Sequence, residues 1–264
     1  MDKVVVVVGA SSGFGKEIFN YLKDKGFKTI GLARSFSDSE ELSTFHLDVS
    51  NPEEVKRVLS KIIKNYGSID VLINVAGFGI AGSVEDTPIE AIKKEMDVNF
   101  FGIVYTTKEV LSHMRKKRSG TIINFSSIAS IIALPYQAFY SASKFAVEGF
   151  SEALAIEVEP FNINVVLIEP GDFKTGFTSK REKYTKEDSP YHAKFNSAIS
   201  KMEKDEQNGE NPAIVATLIY KIITSPKPRR KYIIGPFFEK LFVFLKRILP
   251  DSVITFIFKL YYGL

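Results

Sequence analysis

The fold of this chain is decided by the stretch Val4-Val5-Val6-Val7-Val8-Gly9-Ala10-Ser11-Ser12-Gly13-Phe14-Gly15-Lys16. Five consecutive apolar residues predict a strand buried on both faces, and the glycines predict a tight turn into a helix. Gly9 permits the turn, Gly13 lets the backbone approach a pyrophosphate, and Gly15 lets the helix pack closely. The N-terminus of such a helix offers free N–H groups and positive potential to phosphate. Because the glycines follow a strand and open a helix, they predict a nucleotide site, formed by Gly9, Ser11, Ser12, Gly13, Phe14 and Gly15.

Short apolar runs alternate with amphipathic segments of helical length along the rest of the chain. The predicted strands are Val4–Val8, Thr29–Ala33, Phe45–Leu47, Val71–Val75, Thr121–Phe125, Asn164–Ile168 and Tyr232–Ile234. The predicted helices are Lys16–Lys25, Glu53–Asn65, Ile89–Met114, Gln137–Glu159 and Pro212–Thr224. Runs that are apolar throughout are typical of strands covered by helices on both faces. We therefore expect an α/β fold with a doubly wound, seven-stranded parallel sheet, the Rossmann fold, in a single domain over residues 1–264.

Two segments interrupt this alternation. Residues 175–211 are polar and weakly periodic and follow a strand end, so we expect them to form a lid over a ligand site. Residues 237–264 are rich in Phe and Leu with basic residues between them. We expect this apolar tail to pack over the cleft or at a subunit interface. The alternative is peripheral membrane contact, because basic amphipathic helices lie at lipid interfaces.

The composition excludes several classes of site. The chain has 264 residues, a formal net charge of +4 and no cysteine, so thiol nucleophiles, disulfides and cysteine-based zinc sites are absent. Its three histidines have no metal-ligand spacing, and we expect no metal. Basic residues are spread along the chain, so we expect no nucleic-acid partner. With no signal-peptide pattern and no apolar run of membrane-spanning length, a cytoplasmic location is expected.

The end of the second strand bears on the choice of dinucleotide. A site for NAD places an acidic residue there to bond the ribose 2′-hydroxyl. This chain has Ala33 followed by Arg34, which offers a guanidinium to a 2′-phosphate and no carboxylate to repel it. The sequence therefore predicts NADP rather than NAD as the cofactor.

Tyr140 and Lys144 form a candidate acid–base pair. They are four residues apart in the predicted helix Gln137–Glu159 and share one face of it. An ammonium near a phenol stabilises the phenolate and lowers the pKa of the tyrosine toward working pH. A lone pair with this spacing is more often an ordinary helix surface, so its meaning depends on the other motifs.

Taken together, the motifs resemble the short-chain dehydrogenase/reductase family, in its short single-domain branch, over nearly the whole chain. The glycine motif is present as Val8–Gly15 with Val8 in place of threonine, and a second motif is Asn74-Val75-Ala76-Gly77, in which Val75 departs from asparagine. Beside the Arg34 contact, the resemblance implies further cofactor contacts at Asp48, Val49, Asn74, Ala76, Gly77, Pro170, Gly171 and Thr175. It also implies a catalytic set of Asn99, Ser127, Tyr140 and Lys144, the last two contacting the cofactor as well.

This resemblance implies hydride transfer between NADP(H) and a carbonyl or secondary alcohol, with a homodimer or homotetramer as the assembly. The segment 225–235 is similar to family members that act on hydroxysteroids, retinoids and other lipophilic alcohols, which implies a lipophilic substrate. A catalytically silent NADP-binding sensor or scaffold of the same fold is the alternative, because fold alone does not imply function. A sugar-nucleotide epimerase is disfavoured, since such chains are longer and have a different glycine spacing.

Overall fold

A computed structural model describes residues 3–264. The strands are β1 (Val4–Val8), β2 (Lys28–Ala33), β3 (Thr44–His46), β4 (Val71–Asn74), β5 (Ile80–Gly82), β6 (Gly120–Phe125), β7 (Ile163–Pro170), β8 (Glu182–Tyr184) and β9 (Lys231–Ile234). Seven of them form one parallel sheet in the order β3-β2-β1-β4-β6-β7-β9. The order reverses between β1 and β4, which is the point where such sheets bind ligands. The doubly wound Rossmann fold predicted from the sequence is confirmed.

Nine α-helices are described in residues 3–264. They are α1 (Gly13–Asp24), α2 (Pro52–Tyr66), α3 (Ile89–Met96), α4 (Gly102–Lys117), α5 (Ala138–Val158), α6 (His192–Gln207), α7 (Ala213–Thr224), α8 (Phe237–Lys246) and α9 (Asp251–Tyr262). On one face of the sheet, α2, α4 and α5 enclose a core, and on the other face α1 and α7 enclose a second core. Alternate residues of β1 enter the two cores, which is why the strand is apolar throughout.

The predicted helix Ile89–Met114 is interrupted. A π-helical turn, Asp97–Phe101, separates α3 from α4. Such turns insert an extra residue into the helix and occur frequently at functional sites. Here the turn carries Asn99, whose side chain is fully buried.

The segment predicted as a lid is more regular than its composition indicates. It contains a 3₁₀ turn at Thr178–Lys180, strand β8 and helix α6. Strand β8 pairs with β5 in a separate two-stranded parallel sheet. The short strand has no apolar pattern of its own, because its position depends on this pairing with a distant segment.

The apolar tail forms the two amphipathic helices α8 and α9. The rings of Phe242 and Phe258 pack at 5.4 Å and join the two helices. Val243, Ile254 and Tyr262 are buried against the rest of the protein. Across residues 3–264, none of the helices combines the length and the apolar character needed to cross a membrane.

Candidate active site

The turn between β1 and α1 has a backbone that only glycine fits. A side chain at Gly9 would bring its Cβ within 2.7 Å of the Ala76 amide nitrogen, and Gly9 has a φ of +94°. At Gly15, a Cβ would lie 2.1 Å from the Gly9 carbonyl oxygen. The turn therefore packs directly against Ala76, which follows β4, and against the start of α1. The amides of the helix N-terminus remain open to a phosphate.

A cavity of about 800 Å³ lies over this turn and continues along the ends of the strands. It is lined by most of the residues predicted from the sequence: Gly9, Ser11, Ser12, Gly13, Phe14, Arg34, Asp48, Val49, Ala76, Gly77, Ser127, Tyr140, Lys144, Pro170, Gly171 and Thr175. The glycine turn after β1 lies between Arg34, which follows β2, and the buried Tyr140–Lys144 pair, which lies at the end of β6. The shape and the donors of this cradle fit a dinucleotide.

Three predicted residues do not line this cavity and instead support it. Gly15 lies beneath the turn, and Asn99 lies in the π-helical turn. Asn74 donates to the Asn124 side chain at 2.9 Å and accepts from the Thr106 hydroxyl at 2.9 Å, so both ends of its amide are used inside the protein. We predicted that Asn74 contacts the cofactor. In the structure its side chain is buried and joins β4 to β6 and α4.

The strand-end residues near the predicted ribose are Arg34 and Asp48. Arg34 is exposed and forms no salt bridge with any residue of the described chain. Partial burial raises the pKa of Asp48, but hydrogen bonds from the Ser50 hydroxyl at 2.7 Å and amide at 3.0 Å outweigh it, so the net direction is downward. Asp48 is therefore held ionised, and the Arg34 guanidinium acts on the carboxylates of Asp48 and Glu182 through its charge without forming a direct salt bridge.

Tyr140 and Lys144 lie one turn apart on α5 with both side chains buried. The Lys144 ammonium lies 5.7 Å from the centroid of the Tyr140 ring and donates to the Phe125 carbonyl oxygen at 3.1 Å. Burial lowers the pKa of Lys144 to about 8, although the carboxyl of Glu95 acts to raise it.

The pKa of Tyr140 moves in the direction opposite to the one expected from the sequence. Burial raises the pKa above its ordinary value, and the nearby Ser127 hydroxyl counteracts this only in part. The negative charges of Glu95 and Glu206 add to the rise, and together with burial they outweigh the lowering effects of Ser127 and Arg181. In the protein alone, Tyr140 is a protonated phenol and therefore a proton donor.

Ser127 and Ser126 follow β6, and their hydroxyls have different surroundings. The Ser126 hydroxyl donates to the Lys144 backbone carbonyl at 3.1 Å and is buried. The Ser127 hydroxyl lines the cavity, accepts from the Ala129 amide at 3.1 Å and has only a long 3.4 Å contact to the Pro170 carbonyl oxygen. Both serines line the cavity, and Ser127 has the hydroxyl that is less engaged within the protein.

Asn99 fixes the backbone beside the site. Its amide bonds Phe78 in both directions, accepting from the Phe78 N–H at 3.0 Å and donating to the Phe78 carbonyl oxygen at 2.9 Å. It also contacts the Ser143 hydroxyl at 3.2 Å, and that hydroxyl donates to the Tyr140 carbonyl oxygen at 2.7 Å. Asn99 therefore connects the π-helical turn to the helix that carries Tyr140 and positions both.

Several residues of the site were not predicted from the sequence, and four of them belong to the lid. The Phe177 ring packs on the Tyr140 ring with centroids 5.6 Å apart. The Arg181 guanidinium lies 5.6 Å from the Phe177 ring and forms a buried ion pair with Glu206 of α6. The Lys180 ammonium reaches the Ser12 hydroxyl at 3.1 Å. These contacts hold the lid over both the glycine turn and the tyrosine, and the lid's length was the only sequence signal for them.

The tail supplies a carboxyl group to the opposite wall. Glu239 of α8 accepts from the Asp172 amide at 3.0 Å and occupies the space beside Gly171, where a Cβ would lie 1.6 Å from the carboxylate. Burial first, and then the neighbouring Glu239, raise the pKa of Asp172. Asp205 and Glu206 line the same part of the cavity, so this wall is acidic.

Comparison with known proteins identifies the class to which this site belongs. The family profile described as short chain dehydrogenase matches residues 3–186. A 3-ketodihydrosphingosine reductase of Bacteroides thetaiotaomicron is 41% identical, covering 99% of this chain and 98% of that protein. The chain therefore belongs to the short-chain dehydrogenase/reductase family of oxidoreductases, as its motifs indicated.

Solved structures agree with this assignment. A short-chain dehydrogenase from Streptomyces avermitilis has a TM-score of 0.83 at 30% identity, covering 96% of this chain and 94% of that one. A serine dehydrogenase complexed with NADP⁺ has a TM-score of 0.75 at 26% identity, covering 88% and 94%. These likenesses support a nicotinamide cofactor.

Proposed function

We propose that this protein reduces a carbonyl group, and reversibly oxidises the corresponding secondary alcohol, with NADP(H). The observation that carries the proposal is the buried Tyr140–Lys144 pair, which lines the same cavity as the glycine turn. A bound nicotinamide supplies or accepts the hydride, and the protein positions the reacting groups around it. Ser11, Ser12 and Gly13 would hold the pyrophosphate at the N-terminus of α1.

The proton chemistry is assigned to the chain's own side chains. Tyr140 holds a proton on its phenol oxygen at neutral pH because burial raises its pKa. In the reducing direction, the Tyr140 and Ser127 hydroxyls donate hydrogen bonds to the carbonyl oxygen, where negative charge develops. Tyr140 then gives up its proton, and the Lys144 ammonium stabilises the phenolate that remains. Asn99 positions α5 for this transfer through Ser143.

A conservative substitution at Tyr140 tests the reaction and the silent-binder alternative together. Removing a general acid costs roughly 10²- to 10⁴-fold in rate, so we expect Tyr140→Phe to lower kcat by at least about 100-fold. Binding of NADPH, followed by fluorescence, should change little. Tyr66→Phe, on α2 away from the cavity, is the matched control and should keep wild-type kcat. A wild-type protein that binds NADPH but turns over no carbonyl or alcohol in a broad panel would support the silent-binder alternative instead.

The preference for NADP over NAD rests on Arg34. Its guanidinium lines the cavity at the strand end and is free of salt bridges within the described residues. We expect Arg34→Leu to weaken NADPH binding about tenfold or more, because one charge-assisted phosphate contact is lost, and to leave NADH binding within about twofold. Lys16→Leu, on the exposed side of α1, serves as the charge-matched control. Equal or better use of NADH by the wild-type protein would contradict this assignment.

For the substrate, we propose a ketone on a long alkyl chain, with 3-ketodihydrosphingosine as the first candidate. The relative that is 41% identical over nearly the whole chain bears that activity in its name. The wall formed by α8 and α9 is apolar and includes Leu241, Phe242, Leu245 and Phe258. The acidic wall at Asp172 and Glu239 suits the amine of an amino ketone. Burial and the negative charges of Asp205 and Glu206 raise the pKa of both carboxyl groups, and a cation there would offset this negative charge.

Three ketones separate the parts of this substrate proposal. We expect kcat/KM to be highest for the long-chain amino ketone, lower for its N-acetylated form, which lacks the charge, and lowest for a short-chain amino ketone. Equal values for the charged and N-acetylated ketones would remove the role of the acidic wall. Equal values for long and short chains would remove the role of the apolar wall.

The assembly and location are also proposals. Phe145 and Ile156 on α5 and Phe101 in the π-helical turn are large apolar side chains with exposed surfaces, which supports a homodimer or homotetramer through the long helices. Light scattering after size exclusion tests the assembly. The lack of cysteine is compatible with the cytoplasm that the sequence predicts, and fractionation of cells tests it.

A further inference from the structure

The helices α8 and α9 each expose an apolar stripe on the face opposite to their buried residues. On α8 the stripe is Phe237, Leu241 and Phe244, with Phe237 69% and Phe244 59% exposed. On α9 it is Val253, Phe256 and Leu260, with Phe256 67% and Leu260 75% exposed. These spacings of three and four residues align each set along one side of its helix. Folding therefore buries one face of each helix and leaves the other face exposed.

The exposed charges of the same two helices are mainly positive. Lys240 and Arg247 on or directly after α8, and Lys259 on α9, are exposed. Of the carboxylates, Glu239 turns inward to the Asp172 amide, and Asp251 is paired with Lys246. The outer face of α8 and α9 thus combines a large apolar area with unbalanced positive charge.

We infer that the outer face of α8 and α9 docks on a membrane surface that contains anionic lipids. Apolar side chains that enter the acyl boundary beside cations that meet lipid headgroups are the arrangement by which helices lie in a membrane interface. A second copy of the chain fits this face less well, because a two-fold contact would bring its cations against one another. Docking of this kind requires no membrane-spanning helix.

The docking face continues into the substrate cleft. Phe238 and Leu241 are exposed and also line the cavity, and Phe242, Leu245 and Phe258 follow them inward. A membrane on this face would place the cavity mouth at the lipid surface, so a long-chain ketone could enter without passing through water. This second step rests on the proposed function, whereas the docking itself does not.

Vesicle binding tests the docking directly and needs neither cofactor nor turnover. The wild-type protein is mixed with vesicles of phosphatidylcholine alone, or of phosphatidylcholine with 30% phosphatidylglycerol, and bound protein is measured by flotation. We expect binding to the anionic vesicles at least tenfold above binding to the neutral ones at low salt, because each surface cation contributes about fivefold near anionic lipid.

Two sets of variants separate the apolar and the electrostatic parts. Phe244→Ser/Phe256→Ser removes exposed rings that do not line the cavity and should lower binding to anionic vesicles at least tenfold. Lys240→Gln/Arg247→Gln/Lys259→Gln should lower it by a similar factor while leaving the apolar stripe intact. The matched control is Leu42→Ser/Val84→Ser, which removes similarly exposed apolar groups elsewhere and should bind as the wild type does.

The outcomes distinguish docking from the reaction. All variants should reduce a short, water-soluble ketone at the wild-type rate, since none of the substituted residues lines the cavity. Absence of wild-type binding to anionic vesicles, or binding unchanged in both variant sets, would overturn the inference. So would conversion of an oligomer to a monomer by the Phe244/Phe256 variant, because the face would then be a subunit interface. Vesicle binding by a protein with no reductase activity would instead contradict only the proposed function.

Discussion

Replacing Glu95 with glutamine should remove a pH-dependent loss of stability worth about 3 kcal/mol. Glu95 lies on α3, and its side chain is 0% exposed. One carboxyl oxygen accepts from the Ile80 amide at 2.9 Å, and the other has no hydrogen-bond partner within residues 3–264. A buried carboxylate with one unsatisfied oxygen is costly to ionise.

The size of this effect follows from the pKa of Glu95. Burial raises it from 4.5 to about 7, against the lowering effects of the Ile80 hydrogen bond and of Lys144 on α5. Glu182 on β8 adds to the rise. Between pH 4.5 and 7 the folded protein therefore binds more protons than the unfolded chain, and stability falls as the pH rises through this range. At 1.36 kcal/mol for each pH unit, the total loss is roughly 3 kcal/mol, complete above pH 7.

Glutamine keeps the oxygen that accepts from Ile80 but cannot ionise. We expect Glu95→Gln to lack this loss, so that its free energy of unfolding relative to the wild type increases by about 3 kcal/mol between pH 4.5 and 7. Urea titrations at half-unit intervals from pH 4.5 to 8 measure this difference. The same variant should lower the pKa of Lys144 below about 8, because Glu95 acts to raise it.

The control is Glu90→Gln on the exposed first turn of the same helix. Loss of a negative charge at a helix N-terminus costs under about 1 kcal/mol, and that cost should be the same at every pH above 5.5. If the curves of the wild type and Glu95→Gln stay parallel within about 0.5 kcal/mol, Glu95 ionises normally in the folded protein and the reasoning is wrong.

Three further predictions concern the turn, the lid and the lysine. Gly15→Ala places a Cβ 2.1 Å from the Gly9 carbonyl oxygen. We expect the free energy of unfolding, measured by thermal unfolding, to fall by about 2 kcal/mol and NADPH binding to weaken at least tenfold. Unchanged binding would show that the turn tolerates displacement. Arg181→Met leaves Glu206 without its buried partner and should cost about 3 kcal/mol in urea unfolding, whereas a cost below 1 kcal/mol would show that the ion pair contributes little net stability. Carbonyl reduction should slow as the pH rises through about 8, where Lys144 loses its proton, and a rate that stays level to pH 10 would contradict this role of the lysine.

The central sheet was predictable because its signal is local. The five inner strands of the sheet are buried on both faces, which requires an apolar run wherever such a strand occurs. The turn at Gly9 was predictable for the same reason, since the glycines are needed by the backbone itself. The three-residue strands β5 and β8 were not predicted, because each is stabilised by pairing with a segment about 100 residues away.

The residues of the candidate site also divide into those that the sequence predicts and those that depend on distant contacts. Tyr140, Lys144, Ser127 and the glycine turn were found from motifs and spacing, and all but Gly15 line one cavity. The rise in the pKa of Tyr140 was not foreseen, because spacing along a helix does not show how deeply the helix is covered. Phe177 covers that tyrosine from the lid, a contact between segments that the sequence keeps far apart.

The sequence by itself therefore determined the α/β fold, the position of the nucleotide turn and the residues of the tyrosine–lysine pair, since each depends on patterns within a few residues. Only the tertiary structure decided that Glu95 is buried, that Arg181 and Phe177 hold the lid on Tyr140, and which faces of α8 and α9 stay exposed. The physical reason is that burial and ion pairing are set by which distant segments pack together. The sequence of an apolar stripe or a charged side chain does not show whether another segment covers it.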